Sequence, residues 1–400
     1  MKMNKIKFFK LNDLCTDIID CPHSTPKWKD YGVPVIRNYN LKNITIEKNN
    51  LSYVDKETYF SRIKRANPEE GDIIISREAP MGMVGIVPKN FICCLGQRLV
   101  LLKVNKKMIS PYYLAYVLIS DYVQKQIRTI NRTGSIVSNL NIPDLKNLII
   151  PVLDEEELIG KSLIGIDKKI ELNNKINSEL ENMAKTIYDY WFLQFEFPND
   201  EGKPYKSSGG KMVWNEELKK EIPEKWEVKK LGQLIIENEK SSIQVNKIKN
   251  NSIGEIPFFT SGSTILYTSN YLVNGQNCFL NTGGNADVKN YYGKASYSTD
   301  TWCITSNEET IYYLSMYLLS IKNILNIKYF QGTGLKHLQK YLLKNTEIVY
   351  PNKLLLEKFN NLTKNLFIKS SEILRENKEL TSLRDYLLPL LMNGQVGFKD

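Results

Sequence analysis

Few residues of this chain stand at the spacings that catalysis requires. Gly160-Lys161-Ser162 has the ending of a phosphate-binding loop, but Glu155 occupies the position of the required first glycine. Gly332-Thr333-Gly334 lacks the third glycine of a dinucleotide-binding turn. Asn67-Pro68-Glu69-Glu70 is the nearest string to the Asn/Asp-Pro-Pro-aromatic tetrad of amino-methylating enzymes, and it does not match. His23 and His337 fall in opposite halves, with no triad partners evident. Glu155-Glu156-Glu157 opens a helical pattern, where acidic residues complement the helix dipole. The six cysteines form no Cys-x-x-Cys pair, so they read as buried thiols of a reducing compartment rather than zinc ligands. No catalytic residue, metal site or cofactor bound by this chain is expected.

Recognition chemistry is more plentiful. Arg pairs with guanine edges and Asn or Gln with adenine, framed by contacts to phosphate. The first half carries Arg37-Asn38 after an expected strand, then Arg62, Lys64, Arg65, Arg77, Arg98 and Arg132, with Thr133 and Ser135 in a polar loop. The second half has few arginines. It offers Ser261, the run Asn281-Thr282-Gly283-Gly284-Asn285, and Lys289, Tyr291, Tyr292, Lys294 and Lys336. A loop of small polar residues lets backbone come close to a ligand. The net charge of +10 suits a polyanionic partner, because each neutralised phosphate releases counterions.

The elements that must position these residues occur twice. Ser110 to Ser120 reads SPYYLAYVLIS and Thr310 to Ser320 reads TIYYLSMYLLS, an offset of 200. Thr133-Gly134 matches Thr333-Gly334, and Pro151 matches Pro351. Each copy ends in a long helical pattern, over Glu155 to Trp191 and over Leu354 to Leu388, with Pro389 as the stop. Apolar residues recur there at 4-3 spacing, with Leu355, Leu362 and Leu383 in the second helix. Seam positions match at the same offset: Ile159/Phe359, Ile166/Leu366, Asn173/Ile373, Leu180/Leu380 and Ile187/Leu387. A seven-residue apolar repeat asks for a coiled-coil partner, and each helix is the simplest partner for the other. Gly71 to Ser76 and Leu99 to Val104 read as a turn with a strand and as a strand, and Phe197 to Glu224 as a linker or hairpin. The fold class expected is α+β: two globular domains with mixed, β-rich cores and two long helices in a pseudo-twofold internal repeat. Its segments are 1–151, the helix 152–196, the linker 197–224, 225–351, and the helix with its tail, 352–400. No stretch is long and apolar enough to span a bilayer, and Met1 to Lys10 lacks the apolar core of a signal peptide, so a cytoplasmic location is expected.

CPHSTPKW (Cys21 to Trp28), GDIIISREAPMGMVGIVP (Gly71 to Pro88), CLGQRLVLL (Cys94 to Leu102), NTGGNADVKNYYGKASYSTDTWCI (Asn281 to Ile304) and the junction Tyr188 to Leu231 carry a family likeness. Over essentially its whole length the chain resembles the specificity subunit of type I restriction–modification systems. The resemblance implies two target recognition domains, each reading half of a split site in double-stranded DNA. It implies an antiparallel helix pair that sets the spacer. Two modification subunits would dock there and carry S-adenosylmethionine, with exposed ends such as Tyr188, Tyr190, Phe192, Tyr386 and Leu391 as contacts. Two restriction subunits would use ATP and Mg2+. The alternative reading is an orphan protein that binds DNA or methyltransferase without a working complex.

Overall fold

Short β-branched and apolar runs alternate with Gly- and Asn-rich turns, and they fold into small sheets rather than one continuous one. The structure, a computed structural model, describes residues 6–132, 139–249 and 254–398. It divides into two compact units, residues 1–170 with 380–400, and residues 171–379.

The first unit contains β1 (Ile6–Lys10), β2 (Cys15–Asp20), β3 (Val33–Ile36), β4 (Ser52–Val54), β5 (Ile73–Ser76), β6 (Val84–Ile86), β7 (Cys94–Leu95), β8 (Leu99–Val104) and β9 (Ile149–Leu153). Strands β1 and β9 pair antiparallel; a four-stranded sheet runs β2-β8-β5-β6; a three-stranded sheet runs β4-β3-β7, with β3 parallel to β7. The second unit contains β10 (Glu227–Lys230), β11 (Ile236–Glu237), β12 (Ile256–Phe259), β13 (Leu266–Thr268), β14 (Gln276–Asn281), β15 (Val288–Tyr292), β16 (Ser296–Tyr297), β17 (Thr301–Thr305) and β18 (Glu347–Tyr350). Its sheets run β10-β18, β11-β17-β14-β15 and β13-β12-β16, again with β12 parallel to β16. Each of these nine strands of the first unit therefore has its counterpart in the second, whereas the short pair Leu41–Lys42 with Thr45–Ile46 has none among the described residues. The internal repeat is a repeat of topology as well as of sequence.

The Tyr-Tyr-Leu segments form α1 (Pro111–Ile119) and α4 (Ile311–Ser320), followed by α2 (Asp121–Arg132) and α5 (Lys322–Lys328). Ser110 caps α1, accepting from the Tyr113 amide. Tyr113 and Tyr313 are buried, and each hydroxyl donates to a carbonyl of the closing strand, Pro151 or Val349. Ser120 and Ser320 each donate to the carbonyl three residues back. The shared residues thus hold equivalent joints. A buried tyrosine contributes its ring area to the core only if its hydroxyl is satisfied, and here both are.

The long helices are α3 (Glu156–Tyr188), which runs on into a π-helical turn at Asp189–Leu193, and α6 (Lys353–Met392). At the standard rise they are about 50 and about 60 Å long. Each unit holds a stretch of both, and within each the two run antiparallel. In the first unit Arg384 meets Asp167; in the second, Asn173 Nδ2 donates to Glu376 and Asn377 while Tyr188 packs on Phe359. Ile159, Asn173, Phe359 and Ile373 are buried, and Ile166, Leu180, Ile187, Leu366, Leu380 and Leu387 are half-buried.

Several expectations are corrected. Helix α6 does not stop before Pro389. It continues to Met392, because Leu391 and Met392 are 5% and 4% exposed in the core of the first unit and hold the last turn. Leu362 and Leu383, placed in the seam by spacing, are 50% and 47% exposed. The glycine of Gly160-Lys161-Ser162 is a packing residue: a Cβ there would lie 2.7 Å from the Tyr113 amide nitrogen, so glycine lets α3 approach the start of α1. Lys161 pairs with Glu157, and Glu156 accepts from the Ser110 amide. Burial raises the Glu156 pKa above the usual carboxylate value. The segment 197–224, expected as a linker or a hairpin, contains an antiparallel hairpin, Met212–Asn215 with Lys220–Pro223. Phe197 stacks on both Tyr205 and Trp226, which anchors it.

Candidate nucleic-acid interface

In the first unit four chain segments meet at one edge of the sheets. Strand β8 begins beside the ends of β2 and β5, so Asp20, Ser76 and Leu99 lie together. The Arg77 amide donates to the Arg98 carbonyl, and the Gly96 amide donates to the Ile36 carbonyl at 2.7 Å. A Cβ at Gly96 would sit 2.8 Å from that oxygen, so the turn requires glycine. Asn38 Nδ2 donates to the Ala79 carbonyl at 2.5 Å and ties the loop after β3 to the loop after β5. On this edge Arg37 lies 5.2 Å from the Trp28 ring and 4.9 Å from the Tyr39 ring. Trp28 is 42% and Tyr39 45% exposed. A guanidinium held near two exposed rings can stack on a base or bind a phosphate. Arg98 is half exposed and pairs with Glu78 at 3.1 Å.

The second unit has the same edge, built from other residues. Strand β14 ends at Asn281 beside the start of β17 at Thr301. The Thr282 amide and hydroxyl both donate to the Asp300 carbonyl. Asn281 Nδ2 donates to the carbonyls of Ser261 and Asn285, at 2.6 and 3.0 Å. The Gly284 amide donates to the Lys336 carbonyl, and the Leu338 amide donates back to the Thr282 carbonyl. The Thr333-Gly334 loop therefore lies against the Asn281–Asn285 run. In the first unit, the Leu140 amide donates to the Arg77 carbonyl just after the matching loop. Ser261, Thr282, Asn285 and Lys336 are at least partly exposed here.

The model of the type I restriction modification DNA specificity domain matches residues 3–182 and 223–368. The chain belongs to this family. As such a specificity subunit it resembles the MjaIX specificity subunit of Methanocaldococcus jannaschii, 26% identical over 366 residues, covering 83% of this chain and 79% of the relative. It also resembles the HindI specificity subunit of Haemophilus influenzae, at 22% identity over 73% of this chain and 79% of that one. Its fold matches the crystal structure of the S subunit of a type I system from M. genitalium, with a TM-score of 0.61 and 16% identity, over 100% of this chain and 98% of the other.

Within this specificity subunit the sequence-derived residues separate into groups. Arg37, Asn38 and Arg98 gather on the first edge, and Ser261, Thr282, Asn285 and Lys336 on the second. Arg62 is corrected to an internal brace: it is 5% exposed and donates to the carbonyls of Leu95, Ser24 and Pro22. Arg77 lies beneath the first edge, its side chain 11% exposed, paired with Asp20 at 2.7 Å and bonded to the Leu140 carbonyl. Asn281 is likewise buried, organising the loop rather than facing out. Lys289 donates to the Thr260 and Gly262 carbonyls and is consumed in holding that loop. It also pairs with Asp287; burial raises that acid's pKa, but Lys322 and Lys289 outweigh it and the net shift is downward.

Tyr291 and Tyr292 end β15 away from the edge. Tyr291 is 1% exposed, and Tyr292, half-buried, donates its amide to Ser371 on α6, so the two sit at the α6 end of β15 and not among these loops. Lys294 stacks over Tyr271. Lys64 and Arg65 are exposed after the helix Lys56–Ile63. Arg132 ends α2, and Thr133 and Ser135 lie outside the described residues.

Trp28, Tyr39 and Gln97 were not singled out from sequence. Gln97 donates to the His23 carbonyl at the first edge, and His23 lies 3.0 Å from Asp20. A large aromatic inside a Pro- and Lys-rich segment, as in Pro26-Lys27-Trp28, is the signal that could have found the first. The cysteines are free and, except for half-buried Cys15, buried; burial pushes the Cys93 and Cys278 thiols up to about 12.

Proposed function

We propose that the loop edge of each unit reads one half of a bipartite target in double-stranded DNA, and that the chain does so without chemistry of its own. The observation that carries this is the pair of equivalent edges. The same strands, turns and hydrogen-bonded joints recur, while the outward side chains differ: Arg and aromatic in one, Thr, Ser, Asn and Lys in the other. A repeated scaffold with unlike readers suits a split, asymmetric site. Recognition domains over 1–151 and 225–351, joined through the helix 152–196 and the segment 197–224 and followed by 352–400, are the modules of this reading.

In it, α3 and α6 set the spacer and dock two modification subunits, which hold S-adenosylmethionine and methylate adenine. Two restriction subunits supply ATP- and Mg2+-dependent cleavage, in the cytoplasm. No helix among the described residues is long and apolar enough to cross a membrane. Leu158, Met183, Leu354, Leu362, Leu383 and Tyr386 are 47–67% exposed on the two helices and offer apolar contact to such partners. Tyr188, Phe192 and Leu391 are buried instead, within their own units. The test is long-read mapping of adenine methylation in cells carrying the modification subunit, with and without this gene. The expected result is one two-part motif that disappears with the gene; methylation unchanged by its loss overturns the reading.

A further inference from the structure

Tyr116, Asp167 and Arg384 form a buried polar group in the first unit. The Tyr116 hydroxyl donates to one carboxylate oxygen of Asp167, and Arg384 Nη1 donates to the other at 2.6 Å. The Asp167 and Arg384 side chains are 7% and 13% exposed, and Tyr116 is fully buried. The three residues come from α1, α3 and α6, so one carboxylate joins a recognition domain to both long helices.

The offset of 200 carries these positions onto Met316, Phe367 and Ala184. Those three also meet. They line one cavity of about 300 Å³ in the second unit, with Leu180, Met316 and Leu366 among its apolar walls and Glu181, Asp287, Lys289 and Lys322 at its charged ones. The same meeting point therefore exists in both units, with an ion pair and a hydroxyl at the three matched positions in one and apolar side chains at them in the other. Where Arg384 reaches a carboxylate in one, Ala184 leaves a hollow beside a methionine and a phenylalanine in the other.

We propose that this mismatch decides which helix each end of the pair accepts. The socket formed by Tyr116 and Asp167 takes a helix bearing a cation at the place of Arg384. The socket formed by Met316 and Phe367 takes one bearing a small residue at the place of Ala184. The consequence is that α3 and α6 of one chain pair with each other and not with the same helices of a second copy. The seam alone does not enforce this, since Ile159/Phe359, Leu180/Leu380 and Ile187/Leu387 are apolar on both sides. In an antiparallel pair of two α3 helices, Ala184 of the second copy would stand beside Asp167 and leave a carboxylate buried without its cation. In a pair of two α6 helices, Arg384 of the second copy would stand beside Met316 and Phe367, away from Asp167, in a cavity whose Asp287 already pairs with Lys289 and Lys322. Removing one partner of a buried ion pair is strongly unfavourable, whereas replacing all members by apolar groups is not, so the two sockets discriminate without either being intrinsically the more stable. Asn173, bonded to Glu376 and Asn377 and matched by Ile373, adds a second asymmetry in the same sense.

The full-length chain tests this. In A184R/R384A the cation moves from α6 to α3. The unaltered chain should run as a monomer by light scattering. The variant should run as a dimer of twice the mass, in which the cation introduced on α3 of each copy answers Asp167 of the other. Adding Tyr116→Met and Asp167→Phe removes the carboxylate and should return the chain to a monomer. A monomeric A184R/R384A chain with the melting temperature of the unaltered protein overturns the proposal. So does a dimer that persists in the fourfold variant, or an unaltered chain that is itself dimeric. If A184R/R384A is insoluble, recovery of soluble monomer on removing the carboxylate supports the proposal, and failure to recover overturns it.

Discussion

Arg62 and Arg37 are the same residue type in the same domain, and surroundings alone separate their roles. Arg62 is enclosed and serves three carbonyls at once. Arg62→Met leaves those oxygens unsatisfied and should cost about 3 kcal/mol of stability, read by denaturant unfolding of the chain. Arg37→Ala removes a partly exposed cation from beside two rings. It should change stability by no more than about 0.5 kcal/mol. It should weaken DNA binding by about 1–3 kcal/mol, with the loss confined to the half-site read by the first unit. Titration against duplexes altered in one half-site at a time checks this; an equal loss when either half is altered removes Arg37 from direct readout. The sequence shows both arginines as possible readers. It does not show which one the helix Lys56–Ile63 turns inward, because that depends on strands far along the chain.

At the scale of elements, much of the fold was legible. The strand at Leu99–Val104 follows from its apolar run, and the repeat follows from an offset that places equivalent joints at Tyr113 and Tyr313. The seam was legible only in part. Thr363 and Ser371 are 0% and 4% exposed on α6, positions that spacing by apolar residues passes over. Each hydroxyl donates to the carbonyl four residues back, so burial leaves no polar group unmet. Leu362 and Leu383 mislead in the opposite direction, since apolar residues on an outer face look like seam in a sequence. If α3 and α6 together set the separation of the half-sites, one added heptad in each extends the pair by about 10 Å. That corresponds to about three base pairs at about 3.4 Å per pair along one strand. Methylation mapping should then show both half-sites unchanged and the spacer longer by that amount. An active complex with an unaltered spacer excludes the helices as its measure.

At the scale of the molecule, the two cores are built from separate residues. One gathers Leu11, Ile73, Leu102, Tyr113 and Ile150 with Leu391 and Met392 from the end of the chain; the other gathers Trp191, Phe192, Trp226, Trp302, Tyr313 and Phe359. Recognition should be separable along the same lines. Replacing residues 1–150 with the first domain of another family member should alter one half of the methylated motif and leave the other intact. The exchange carries a structural condition, because the first core is closed by residues outside the exchanged segment. Position 116 must still present a hydroxyl to Asp167, and the surface under Leu391 and Met392 must still accept them. A donor with tyrosine at 116 should give an active chimera. A donor with an apolar residue there should remain folded, since the Asp167–Arg384 pair survives, but with lower stability from the carboxylate's lost donor, by about 1–3 kcal/mol. Methylation mapping of the two chimeras separates the questions: a change in both halves of the motif contradicts domain-wise reading, whereas a stability difference without a change in the distal half-site locates the effect at the joint.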